Sequence, residues 1–287
     1  MLNDNAIFTA ATGYVYIGDV GTPAPTRAQI RDFDPETFGA NTHSVVISGA
    51  PEGGTYTIAV GGAESDPIAF DATAAEVQAI LESHPAVGTG NVVVSGESAE
   101  AGYAIAFVGD LYGEAVEVAA DGADLTGGST PDAVAVETSA ANGWEPIGHT
   151  DEEELPEFGY EGGETEAKGS WQKKNLKEVS TENPVDYVTV KALQFDPATL
   201  ELYYGKNDSN IEGVFGVNGS AKGGVEKAIL IVMVDGLFKI GFSAAKSSVR
   251  RDESITLATD AFSTLPLRST FIKHPGRHLF EWITPAA

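Results

Sequence analysis

The sequence contains no cysteine. A disulfide framework, thiolate chemistry and a cysteine-ligated metal are therefore excluded. Lysine and arginine are scarce, 17 against 42 Asp and Glu, for a net charge of −25. A surface that neutralises phosphates needs clustered Lys and Arg, so nucleic-acid binding of that kind is excluded. A surface that DNA slides past without adhering is compatible with the same charge. Long hydrophobic runs are missing too. The longest, Ala228 to Val234, is far too short to span a bilayer as a helix. The opening MLNDNAIFTAATG lacks a basic segment followed by an apolar one. A secretory leader is not expected, and synthesis in the cytoplasm is.

One absence is local. Thr42 to Ser139 holds fifteen Asp and Glu and not one Lys or Arg. A composition break of this size marks a domain boundary. The flanks are β-rich, but residues 1–41 are too short to fold alone. The expected organisation is a β-domain made of 1–41 and 140–287, with 42–139 inserted at a surface loop. Within the insert, Ser44 to Ser48 and Thr55 to Val60 read as a hairpin around Pro51, Gly53 and Gly54. Thr73-Ala74-Ala75-Glu76 is a capping box, followed by the apolar stripe Val77, Ile80, Leu81. Further strands are expected at Asn91–Ser95, Tyr103–Val108 and Glu114–Ala119, giving a small α+β domain of order β-β-α-β-β-β.

The flanks read as strands at Thr12–Asp19, Asp186–Phe195, Lys227–Val234, Leu237–Lys246, Ser254–Ala258, Ser263–Lys273 and His278–Ile283. The apolar run at Ala228–Val234 predicts a strand covered on both faces. Asp235-Gly236 predicts a two-residue hairpin turn. Asp34-Pro35-Glu36 predicts a helical turn. Asp196, Pro197 and Gly205 supply an N-cap, a first-position proline and a C-terminal cap, which predicts one helix at about 196–204.

No catalytic or metal-binding constellation stands out. The five histidines are scattered and none has a ligand spacing such as HExxH. Ser243-Ala244-Ala245-Lys246 matches S-x-x-K without its partner motifs. Asp208, Asn210 and Glu212 resemble the start of a calcium loop, but its twelfth position is Gly219. No cofactor is expected, and an enzyme is the least favoured reading.

The most informative stretch runs from Gly143 to Val179. Its ends, Trp144–His149 and Gly169–Val179, read as strands, and a long loop is expected between them. Asp151, Glu152, Glu153, Glu154, Glu157, Glu161, Glu164 and Glu166 give that loop eight acids and no base. Basic residues then arrive together at Lys168, Lys173, Lys174 and Lys177. Such a run is either a solvated loop or an arm that reaches a partner of complementary charge.

The phrases WEPIGHTDEEELPEFGYEGGETEAKGSWQKKNLKEV, VDYVTVKALQFDPATLELYYG and NDNAIFTAATGYVYIGDVGTPAPT resemble the major tail protein (tail tube protein) of long-tailed, siphovirus-type actinobacteriophages, in the lambda-like tail tube family. They cover residues 1–40 and 140–287. The phrases ISGAPEGGTYTI and ATAAEVQAILESHPAVGTGNVVVSG are similar to the accessory domains of actinophage structural proteins. The resemblance implies a mainly β fold, a tail-tube β-sandwich or barrel with one flanking α-helix at about 196–204. It implies a virion protein that forms hexameric rings, stacked helically around a tape-measure protein, with tail terminator and tail-tip proteins at the ends. DNA would pass through the lumen without specific binding. The 42–139 domain would sit outside, with host-surface contact open to it. The acidic loop would be the stacking arm. Its complement on a neighbour would be Lys173, Lys174 and Lys177, or Arg250 and Arg251. Other tail components (terminator, tip or decoration protein) and a surface glycan-binding module are the alternatives.

Overall fold

A computed structural model describes residues 7–98, 100–219, 224–257, 259 and 261–284. The chain divides into two units, Met1–Asp32 with Pro146–Ala287, and Phe33–Glu145. Both are mainly β. Three helices of the α type occur among the described residues: α1 (Arg27–Arg31), α2 (Ala74–Ser83) and α3 (Pro197–Tyr204).

The first unit is organised by Val225–Asp235. Ala228, Ile229, Leu230, Ile231 and Val232 are all buried, as a strand covered on both faces requires. It pairs antiparallel with Thr12–Gly18 on one side and Phe238–Arg251 on the other. The turn falls at Gly236 and Leu237, one residue later than expected, since Asp235 pairs with Phe238. The sheet continues through Leu265–Phe271 and Val185–Ala192 to Glu157–Glu161. On its other edge Phe238–Arg251 serves two neighbours, pairing with Leu265–Phe271 through its second half and with Glu281–Ile283 through its first. A bulge between Lys227 and Ile229 is held by the Ser247 hydroxyl, which donates to the Lys227 carbonyl at 2.9 Å.

Helix α3 forms where its signals predict. The Asp196 carboxylate accepts the Thr199 N–H at 2.8 Å, and Gly205 takes φ 90°. Thr199, Leu202 and Tyr203 turn inward, and Leu202 and Tyr203 join a core with Val188, Val190, Leu265 and Leu267. Helix α1 went unread in the sequence because five residues are too few to show a 3.6-residue period. Its Thr26 and Gln29 form a reciprocal capping box. Ile30 is buried against Gly241, where a β-carbon would lie 2.9 Å from Ile30 Cδ1. Ser254–Ala258 departs from expectation: among its described residues the bridge Thr256↔Thr264 forms and no strand, and Ala258 lies outside the described residues.

The second unit contains two sheets. One has the order Asp132–Ser139, Asn41–Ser48, Tyr103–Phe107, Val92–Ser95. In the other, Gly53–Val60 pairs with Ala63–Glu64 and Ile68–Ala69 and also with Val118–Asp121 and Leu125–Thr126. The expected hairpin between 44–48 and 55–60 does not form; these strands belong to different sheets. Each alternates buried and exposed side chains, and the two sheets bury their apolar rows in one core, through Val45, Ile47, Tyr56 and Ile58. The crossing at 49–52 is pinned instead by segment 126–129, with Ser129 N–H donating to Gly49 and Glu52 N–H to Thr126. Helix α2 lies on this core through Val77 and Leu81, both 0% exposed.

Candidate self-assembly surface

The sequence nominates the acidic loop Asp151–Glu166 as the arm; in the structure it runs on into a hairpin, and residues 151–180 are taken together as the arm. They are more regular than the expected loop. Glu157–Glu161 is an edge strand, Phe158 paired with Val188 and Gly159 with Tyr187. Thr165–Lys168 and Lys177–Ser180 then form a separate hairpin. Glycine and glutamate are poor strand formers, so the pattern E-F-G-Y-E hides its alternation. The strand is fixed from both faces. The Phe158 ring lies 4.7 Å from Phe242 and 5.2 Å from Trp282. Gly159 admits the Tyr187 ring so closely that a β-carbon would sit 2.5 Å from Tyr187 Cζ.

The ion pairs are made within the chain. Arg268 Nη2 lies 2.7 Å from Glu161 Oε2, and its guanidinium stacks 3.6 Å from the Tyr187 ring centroid. The hydrogen bond from Arg268 holds the Glu161 carboxyl below the usual range, with the charges of Arg268 and Arg250 adding to it against some desolvation. Glu154 pairs with Lys191, whose ammonium is raised by that hydrogen bond. Glu166 pairs with Lys168 along the hairpin. Asp151 accepts the N–H groups of Glu153 and Glu154 at 2.8 and 3.1 Å, closing a turn. Glu152, Glu153, Glu157 and Glu164 have no ion-pair partner among the described residues.

Lys191 and Arg268 are thus the partners that sequence reasoning missed. Only strand register brings them to the arm, through Thr189↔Arg268 and Thr189↔Glu157. The nominated bases form no ion pair with the acids of 151–166 among the described residues, although Arg250 lies opposite Arg268 and its charge reaches Glu161. Arg250 and Arg251 end the strand Phe238–Arg251 and are exposed. Lys173, Lys174 and Lys177 sit on the hairpin with no carboxylate in ion-pair range among the described residues. Lys177 faces Lys168 directly across it, a like-charge pair that weakens the hairpin.

Every side chain from Thr165 to Ser180 is exposed, and Trp171 at the tip is 101% so. The tip is tied by Ser170 and Lys173, whose N–H groups each donate to the other's carbonyl, and by Asn175 at φ 56°. A two-stranded hairpin that buries nothing is marginal in water.

A family model described as phage tail tube protein matches residues 102–287. The chain belongs to the phage tail tube protein family. It is 50% identical over 145 residues to Major tail protein Gp23 of Mycobacterium phage L5, covering 50% of this chain and 72% of the relative. It is 49% identical over 145 residues, with the same coverage, to Major tail protein Gp23 of Mycobacterium phage D29. Among solved structures, a chain from Mycobacterium phage Patience matches at 21% identity and a TM-score of 0.27. That match covers 39% of this chain and spans about half, 51%, of the other.

A tail tube protein is a structural component of the virion tail that assembles with itself, and this chain is one, not an enzyme. The S-x-x-K match illustrates the point. Ser243 is buried, and Lys246, three residues along the same strand, pairs with Glu226.

Proposed function

We propose that this chain polymerises into the phage tail tube as stacked hexameric rings, with the 151–180 arm as the contact between rings. The carrying observation is the exposed hairpin Thr165–Ser180 on an edge strand pinned by Arg268 and Phe242. The pinned strand fixes where the hairpin begins, and the hairpin's exposed surface gains stability against a partner. In-plane contacts that close make rings, and contacts that do not close make tubes. The lumen encloses a tape-measure protein and later conducts the genome to the host. Terminator and tip proteins end the stack. The net charge of −25 suits a conduit that DNA does not adhere to. Residues 42–139 form an accessory domain on the outside of the tube.

Deleting residues 164–181 tests this reading. The shortened chain is expected to fold and to form at most single rings by negative-stain electron microscopy, where the full chain forms hollow tubes. Tubes of normal length from the shortened chain sink it.

A second reading gives the 42–139 domain a part in host-surface contact. It is favoured by a cavity of about 620 Å³ within the second unit, lined by His43, Gly62, Glu117 and Glu137. Burial keeps the His43 imidazole below its ordinary value. Binding of the full chain to surface glycans of its host, lost on filling the cavity with Ala59→Trp, is the expected result. Equal binding by that variant removes the cavity from consideration.

A further inference from the structure

We propose that Trp171 at the hairpin tip docks into an acid-rimmed groove at the root of the arm on a second copy of this chain. The inference rests on the tube reading above and names the socket that the arm enters. The groove, about 200 Å³, is lined by Glu154, Leu155, Glu157, Asp252, Glu253 and Pro266, among others. Leu155 is half exposed in it, at 50%. Two bases also line it, but both are already paired: Lys191 by Glu154, and Arg268 by Glu161 with Asp252 at 3.9 Å. Glu157 and Glu253 have no base in ion-pair range among the described residues. The rim is therefore net negative.

The tip carries the complement. Trp171 is fully exposed, and Lys173 and Lys174 follow it in the same turn. An indole offers a large apolar body and one N–H donor, and tryptophan is among the side chains that anchor interfaces from within a pocket. The carboxylates on the rim would accept that donor and face the two ammonium groups. Opposite charge placed this way sets register and orientation.

Topology makes the contact intermolecular. The groove flanks Glu157, where the arm strand begins beside Thr189. The strand runs away from it to Glu161, beside Val185, and the hairpin follows beyond Gly162 and Gly163. Plug and socket lie at opposite ends of one arm. Two different patches that fit each other on identical copies form a heterologous contact, and such a contact propagates when it does not close.

The cysteine-free chain allows a direct test with a short bis-maleimide. Gln172→Cys places a thiol next to the intact indole, and Glu253→Cys places one on the rim. In assemblies of the full chain carrying both, a ladder of dimers, trimers and higher multimers is expected on a denaturing gel. Neither single variant is expected to give one, and adding Trp171→Ala is expected to reduce the ladder at least tenfold. Tubes that form without a ladder, or dimers from Gln172→Cys alone, overturn the socket while the tube reading stands. A chain that stays monomeric under all conditions overturns both. Charge reversal is the companion experiment. Lys173→Glu with Lys174→Glu is expected to block stacking, and Glu157→Lys with Glu253→Lys in the same chain to restore it. Blocked stacking without restoration overturns the pairing. Binding of wild-type monomers to anionic lipid vesicles through Trp171, with no self-association, would assign the tip to a membrane surface instead.

Discussion

Arg268 lies flat against Tyr187, its guanidinium carbon 3.6 Å from the ring centroid, and from there reaches Glu161 at 2.7 Å. Three strands meet in this one contact: Leu265–Phe271 supplies the arginine, Val185–Ala192 the tyrosine and Glu157–Glu161 the carboxylate. Stacking and a directed hydrogen bond both depend on the planar guanidinium, which lysine lacks. Arg268→Lys is therefore expected to loosen the arm strand, although charge is kept. Hydrogen exchange of the Gly159 and Glu161 amides should accelerate by tenfold or more, while amides of Ile229 and Ile231 keep their rates. Unchanged exchange at Gly159 would remove Arg268 from the arm's support.

Acid should release the same strand. The Glu161 carboxyl is held low by the hydrogen bond from Arg268, so its folded value lies below the unfolded one, near 4.3. As pH falls the unfolded state takes up the proton first. The stabilisation is whole above about pH 4.3 and is lost as pH falls through the folded value. Trp282, 5.2 Å from Phe158, should report the change in fluorescence. Glu161→Gln should remove this acid step, and an identical profile in that variant would contradict the assignment.

Phe242 has ring neighbours in Phe158, Phe271, Phe280 and Trp282, at 4.7 to 5.5 Å. It ties the arm strand to the sheet and to the C-terminal strand Glu281–Ile283. Phe242→Ala leaves a cavity that all four line, and a loss of about 3–5 kcal/mol is expected in denaturant unfolding of the first unit. A loss under about 1 kcal/mol would mean that the site collapses freely, against the close-packed arrangement described.

Thr73 accepts the Glu76 N–H while Glu76 accepts the Thr73 N–H at 2.8 Å. Thr73→Ala is expected to cost about 1 kcal/mol. Leu81→Ala, deeper on the same helix, is expected to cost about 2–5 kcal/mol. Equal losses from the two would show that α2 is held by its cap alone.

What the sequence disclosed follows from the range of each interaction. The Thr73–Glu76 box and the Asp196-Pro197 start with Gly205 are contacts within four residues, and both helices stand as read. The run Ala228–Val232 declares its burial by composition. Pairing is different, because residues far apart in the chain decide it. Ser44–Ser48 reads as the hairpin partner of Thr55–Val60, its neighbour in sequence, whereas strand 41–48 pairs with 103–107 and 132–139. The arm was legible as a charge pattern, eight acids followed by lysines. Its supports were not: nothing near Glu161 announces Arg268, which arrives by the register of two intervening pairings. The acids expected to reach across to a neighbour are in part satisfied at home, through Glu154, Glu161 and Glu166.

The central claim is that the 165–180 hairpin joins one ring to the next. Cryo-electron microscopy of tubes or intact tails, at a resolution that shows side chains, tests it most directly. The account predicts density for Trp171 buried against a subunit of the adjacent ring, beside Leu155 and Glu157 of that copy. A hairpin that points into solvent, with rings joined through other surfaces, would contradict it.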